Sequence, residues 1–197
     1  SVPDIPTLIS RRINMKSRFS YIVSFLLIFS AANAFAQEQF LCVWRNPERT
    51  MNKIFSDAND YRTVNLSISS QQRKEIEKKL GSELLPGQQE NLSVFEMMDR
   101  AGEKIGTIMA VTQKGEFGAV EFVFGLDLEG KIRGMYIQRA RERDKEFKKR
   151  EFLDSFKGKA LADVEEMAPK FKEASIAVRA VILGVRKELI AYNYLTN

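Results

Sequence analysis

Apolar and polar positions change period several times along this chain, and each change marks the edge of an element. In the run ERTMNKIFSD over 48–57, Met51, Ile54 and Phe55 recur at helical spacing and predict a short amphipathic helix. Val64, Leu66 and Ile68 then alternate with polar neighbours, which predicts a half-buried strand over 61–67. Ser69 or Ser70 caps a following helix that runs through Leu80 on the narrow apolar face of Ile76 and Leu80, with Gly81 as its stop. Pro86-Gly87 marks a turn in the polar connection beyond it.

Four further strands are predicted over 92–98, 104–112, 119–126 and 132–138. The last two are joined by Asp127-Leu128-Glu129-Gly130-Lys131, a short Gly-containing loop of the kind that closes hairpins. Phe122 and Phe124 share one face of the third of these strands and are expected in the core, packed against a helix. The segment 139–150 holds seven Lys or Arg and three Asp or Glu, and reads as a solvated connection. An anion-binding surface is its functional alternative, since Arg grips phosphate or carboxylate oxygens in a bidentate fork. A short helix over 151–156 puts Phe152, Leu153 and Phe156 on one side and ends at Gly158. The run over 174–189 is apolar on nearly every side through Val185, so this helix is expected against a sheet, with Arg186 and Lys187 at its C-terminal end. Strands in series with helices at their edges predict an α+β fold, a mostly antiparallel sheet covered by helices in a single domain.

The N-terminal pattern is of another kind. Met15 opens a segment with Lys16 and Arg18, an apolar run from Tyr21 to Phe29, and the small residues Ala32, Ala34 and Ala36. That is the layout of a secretory signal peptide over 15–36, cleaved after Ala36. The apolar segment is shorter than the roughly 20 residues a membrane-crossing helix needs, so cleavage is expected rather than retention as an anchor. Residues 1–14 carry no pattern and read as an upstream leader or an extension ahead of the true start. The mature protein is then extracytoplasmic, periplasmic in a two-membrane cell, and consists of about 160 residues. That is enough for one domain burying roughly 70% of its unfolded surface.

Charge changes the picture once this leader is removed. The whole chain is +5, whereas residues 37–197 carry 27 Lys or Arg against 25 Asp or Glu. A nearly neutral protein lacks the basic footprint of nucleic-acid binding, so no nucleic-acid partner is expected. Cys42 is the only cysteine, which excludes an intramolecular disulfide; Gln39 and Leu41 do not make a lipobox around it, so it reads as a structural thiol. The chain has no histidine, which rules out Ser-His and Cys-His nucleophile pairs and imidazole-based zinc sites; no metal site is expected. No pair of carboxylates stands out as a hydrolytic acid and base.

The order of motifs from Lys114 onward resembles the FMN-binding domain of the flavin-carrying subunits of sodium-pumping NADH:quinone reductase and Rnf-type electron-transfer complexes. Gly115 and Gly118 match the outer glycines of that family's Gly-Tyr-Gly-Gly entry to a strand, with Glu116 and Phe117 replacing the inner pair. Phe124-Gly125-Leu126-Asp127 through Gly130-Lys131-Ile132 follows its hairpin. Of its His-x-Glu-Thr-Pro-Gly-Leu-Gly segment only Glu142 is present, with Ala140, Arg143 and Lys145 on the His, Thr and Gly positions. Phe152, Phe156, Gly158 and Lys159 match a Phe-x-x-x-Phe-x-Gly-Lys pattern. The family's Ser-Gly-Ala-Thr-x-Thr-Ser, whose last Thr can be esterified to the FMN phosphate, is reduced to Ser175, and Ala174 falls on the acceptor position. No Thr lies between Thr112 and Thr196, so covalent flavin attachment by that route is not expected.

The resemblance divides the mature chain into an N-terminal part, 37–113, with no assigned role, and an FMN-binding-like region, 114–197. It implies an exported protein that holds FMN noncovalently and acts in electron transfer at the cell envelope, as an electron carrier or component of a redox complex rather than a stand-alone enzyme. Its implied partner is a redox protein at the inner membrane or in the periplasm. The cofactor-binding candidates are Gly115, Gly118, Glu142, Lys170, Lys172 and Ser175, with the phosphate at the N-terminus of the last helix, where unpaired N–H groups and the positive dipole end gather. The alternative is a cofactor-free binding or assembly module that keeps the fold.

Overall fold

The computed structural model describes residues 48–196. The signal-peptide reading, its upstream leader and Cys42 lie outside the described residues.

Five strands form one antiparallel sheet in the order of the chain: β1 (Asp60–Ser67), β2 (Asn91–Met98), β3 (Lys104–Lys114), β4 (Ala119–Leu126) and β5 (Ile132–Arg139). The α+β architecture expected from the sequence is the one observed. The β4–β5 hairpin closes as its loop chemistry predicts. Asp127 Oδ1 accepts the backbone N–H groups of Glu129 and Lys131 at 2.9 Å each, and Gly130 takes φ +77°, where a side chain would strain the turn.

One helix spans α1 (Glu48–Met51) and another α2 (Ser70–Leu80). Ser69 and Gln72 cap α2 reciprocally: the Gln72 N–H donates to Ser69 Oγ at 3.3 Å and the Ser69 N–H to Gln72 Oε1 at 2.9 Å. Gly81, left-handed at φ +76°, ends it as predicted. After the sheet come α3 (Arg150–Asp154), α4 (Leu161–Met167) and α5 (Ile176–Thr196).

The larger core lies where α5 crosses one face of the sheet. Phe122, Phe124, Met109 and Val111 meet Ala177, Val181 and Val185 there, with Phe147, Phe156 and Val164 closing the edge. Each fully buried large side chain contributes about 1.5–3 kcal/mol by leaving water. Gly184 lets α5 sit close: a Cβ there would lie 2.9 Å from both Phe122 and Val111. A second cluster, Met51, Ile54, Phe55, Phe95, Met97, Ile108 and Val123, gathers on the other face. Phe55 drops into a dent left by glycine, since a Cβ on Gly125 would stand 2.5 Å from its ring. This gives residues 48–58 a definite role, as a plug on the second face.

Two element predictions are corrected. The first helix stops at Met51 instead of reaching Asp57. Ile54 and Phe55 reach the sheet from tight turns, with their N–H groups both returning to the Met51 carbonyl at 2.9 Å. The last helix does not end at Leu189 but continues to Thr196, because Ile190 and Ala191 extend its buried face. Lys187 is therefore a mid-helix residue and is itself buried. The helix α4 was not among the predicted elements. It forms around buried Val164 and Met167, and Asp163 Oδ2 accepts the Ala160 N–H at 2.8 Å ahead of its first turn.

Candidate functional site

Glu142 organises the region to which the candidate residues belong. It lies in the basic connection after β5, yet it is only 1% exposed. Its carboxylate accepts two successive backbone N–H groups of the β3–β4 turn, from Phe117 to Oε1 at 3.0 Å and from Glu116 to Oε2 at 3.1 Å. Adjacent N–H groups facing one way form a concave anion seat, and here the chain fills it with its own carboxylate. The turn is closed by the Gly115 N–H donating to the Gly118 carbonyl at 2.7 Å, with Gly118 at φ +139°. Gly115 must be glycine for a separate reason. A Cβ there would overlap the Glu142 carboxylate, 2.8 Å from its carboxyl carbon and 3.0 Å from the Gly118 oxygen.

The same connection runs on to the start of α5. Asp144 Oδ1 accepts the Glu146 N–H at 2.9 Å, an Asx turn, while Oδ2 accepts the Ser175 hydroxyl. These two bonds, the backbone one first, hold the Asp144 carboxyl below its ordinary pKa. Ser175 in turn caps α5, its Oγ accepting the Val178 N–H at 3.2 Å and its carbonyl the Arg179 N–H at 3.0 Å. Lys145 donates to the Glu142 carbonyl, and the fully buried Phe147 pins the connection into the main core. Hydrogen bonds thus fasten the 142–144 stretch on two sides, Glu142 to the glycine turn and Asp144 to Ser175 at the start of α5.

Of the sequence candidates, Gly115, Gly118, Glu142 and Ser175 are brought into this one constellation. Lys170, in the turn Ala168–Phe171, and Lys172 just beyond it are exposed and stand ahead of the α5 start. The Lys172 carbonyl accepts Arg179 Nη1 at 3.1 Å, which fixes the backbone between them. Sequence reasoning missed Asp144, Phe117 and Arg143. Phe117, 39% exposed, sits at the tip of the β3–β4 turn with the Arg143 guanidinium 4.7 Å from its ring centre. Asp144 could have been found from its place two residues before Glu146 in a loop, the Asx-turn spacing; Phe117 was in view as a substitution within the glycine motif.

The constellation is suited to binding rather than to acid–base chemistry, because both of its carboxylates are committed to backbone and hydroxyl donors. For a flavin, the exposed Phe117 ring offers an aromatic face, and Lys170, Lys172 and Arg179 offer positive charge near the start of α5. These are the residues that would hold the ring and phosphate ends of FMN. The helix end itself already carries the Ser175 cap and the Asp144 carboxylate, so the lysine and arginine side chains, more than the helix N–H groups, are left to meet a phosphate.

A second group of buried polar residues lies toward the other end of α5. Lys187 and Glu188, 7% and 5% exposed in their side chains, approach at 3.5 Å. Lys187 Nζ also donates to Gln88 Oε1 at 3.0 Å, Gln113 Oε1 at 3.3 Å and the Thr112 carbonyl at 3.4 Å. Burial pushes the Glu188 carboxyl up, and Lys187 only partly offsets it. A small cavity of about 60 Å³ touches the pair and is walled by Ile68, Leu84, Leu92 and Ala191.

Among the described residues there is no cluster of three or more His, Cys, Asp or Glu able to hold a metal, and no helix long and apolar enough to cross a membrane. No protein-family profile matches the chain, and no curated protein matches it.

Proposed function

We propose that the constellation joining the β3–β4 turn, the 140–149 connection and the start of α5 binds FMN noncovalently, in an exported protein that carries electrons to or from a redox partner at the cell envelope. The observation that carries this reading is the convergence of Gly115, Gly118, Glu142 and Ser175. They are spread over 60 residues of sequence, yet bonds at Glu142 and at Asp144, two residues apart, bring them together.

In this reading Phe117 packs on the flavin ring, Lys170 and Lys172 neutralise its phosphate, and Glu142 holds the turn rigid beneath it. Bound FMN supplies one- and two-electron transfer, and the surrounding protein charge sets its potential. The basic character of this face favours the reduced, more negatively charged cofactor and raises that potential.

One observation favours the second reading, a cofactor-free binding or assembly module. The anion seat in the glycine turn is already held by the Glu142 carboxylate, and the helix N-terminus by the Ser175 hydroxyl, itself bonded to Asp144. Visible absorption of the protein from its native compartment, repeated on the supernatant after acid precipitation, separates the two. Flavin bands released into the supernatant support the noncovalent flavoprotein. Absence of bands together with no quenching of FMN fluorescence on titration leaves the module. Lys172→Glu is expected to weaken FMN by about tenfold, the effect of reversing one charge beside a phosphate; unchanged affinity removes the lysine from the phosphate site.

A further inference from the structure

The cations of this protein are not evenly spread. Segments 139–150 and 170–179 together hold ten Lys or Arg and four Asp or Glu, whereas the rest of 48–196 holds sixteen against twenty. One part of the chain is net +6 and the remainder net −4. The Asp144–Ser175 bond ties the two basic segments together at the start of α5.

Three of the four acidic groups among these cations are tied down within the protein. Glu142 is buried under two backbone N–H groups and Asp144 is engaged by Ser175 and Glu146, while Glu146 pairs with Lys149 at 2.6 Å. Arg141, Arg143, Lys145, Lys148, Lys170 and Lys172 are all exposed. Two of the large apolar side chains that reach solvent stand among them. Phe117, 39% exposed, lies under Arg143, and Ile176, 41% exposed, directly follows Ser175.

We propose that this face docks the protein onto an anionic phospholipid surface, with Phe117 and Ile176 entering the interface and the surrounding Lys and Arg meeting lipid phosphates. Two apolar tips inside a rim of cations match an interface that is apolar in depth and negative at its surface. The rigid Glu142 clamp holds the Phe117 tip in place, so little ordering is needed on contact. The inference does not rest on flavin binding: it gives the Phe117 ring to lipid in the flavin's place, and its test contains no flavin.

The test is co-sedimentation of the protein, as purified from its cells, with phosphatidylcholine vesicles and with vesicles that also contain phosphatidylglycerol. Binding is expected to the anionic vesicles alone and to fall as salt is raised. Replacing Arg141, Arg143 and Lys148 together by Gln is expected to weaken binding by about a hundredfold, roughly fivefold for each cation. Phe117→Ser is expected to weaken it by about tenfold with the charge unchanged. Lys74→Gln with Lys78→Gln, which removes two exposed cations from α2, is expected to leave it unchanged. Circular dichroism confirms that each variant is folded. Equal binding to neutral vesicles, no binding to either, or an equal loss in the α2 variant would each overturn the proposal.

Discussion

Glu142 and Glu188 are buried to nearly the same degree, 1% and 4% exposed, yet their surroundings treat the charge in opposite ways. Glu142 receives two N–H groups from a turn whose backbone is fixed by the Gly115–Gly118 bond, so its partners are in place before the carboxylate arrives. Glu188 depends on Lys187, a long side chain 3.5 Å away that three other oxygens also share. A preorganised backbone seat stabilises a buried charge more economically than a flexible ammonium that must itself be desolvated. The first carboxylate shapes a surface; the second lies beside Lys187, whose ammonium holds α5 to the 86–88 turn and the end of β3.

The largest expected effect tests the weaker of the two arrangements. Lys187→Met would leave Glu188 buried without its cation and is expected to cost about 3–5 kcal/mol at neutral pH. Urea unfolding would read this as a drop in midpoint. A loss below about 1 kcal/mol would mean that Glu188 needs no cation and that the contrast with Glu142 is not one of partners.

Gly115→Ala strikes the stronger arrangement, by crowding Glu142 out of its seat, and is expected to destabilise by about 1–3 kcal/mol. Glu142→Ala alone should cost a similar ~1–3 kcal/mol by leaving the Glu116 and Phe117 N–H groups without their acceptor. The two together should cost clearly less than their sum, because each removes the same interaction. Additive losses in a double-mutant cycle would show that Gly115 matters only for its backbone and not for the carboxylate beside it.

Glu188→Gln sharpens the comparison through pH. Burial raises the folded-state pKa of Glu188, so the folded protein binds this proton more tightly than the unfolded chain does. Its contribution to stability is fully present below the unfolded value, about 4.3, and is lost as pH rises through the folded one. The Gln variant keeps the oxygens of Gln88, Thr112 and Gln113 around Lys187. It should therefore match the parent in acid and exceed it in stability at neutral pH. A difference between the two that is constant with pH would show that Glu188 titrates as an ordinary surface carboxyl.

The sequence made one kind of structure readable and hid another. Local periodicity placed all five strands within two residues at either end, and Ser69 or Ser70 with Gly81 marked both ends of α2, because turns and caps are decided by neighbours. The core role of Phe122 and Phe124 was equally plain, and both are fully buried. What periodicity could not show depends on distant partners. The dent at Gly125 that receives Phe55 ends the first helix early, and the Lys187–Glu188 pair interrupts an apolar face that continues beyond it. At the candidate site, Glu142 was picked out by pattern, but in a run with seven cations nothing local distinguishes a buried carboxylate from a solvated one. Only the fold reveals that its partners are two N–H groups some 25 residues earlier.

The smallest expected effect concerns Asp144, an exposed-side counterpart of both buried acids. Its carboxyl is held below the ordinary pKa by the Glu146 N–H and the Ser175 hydroxyl, so the folded state favours its charged form. The stability it contributes is present above the unfolded value, about 3.9, and is lost as pH falls through the folded one. Asp144→Asn keeps an oxygen for Glu146 but removes the negative charge beside the α5 N-terminus, where such a charge contributes about 0.3–1 kcal/mol. Thermal melts should show that small loss at neutral pH and convergence with the parent in acid. The same variant weighs the two functional readings against each other. If FMN phosphate approaches the start of α5, removing a resident carboxylate must tighten it by a few-fold while the fold weakens slightly, a pairing of opposite signs that general destabilisation cannot produce. If the helix end serves only to hold the 140–149 connection, stability falls and no ligand affinity rises with it.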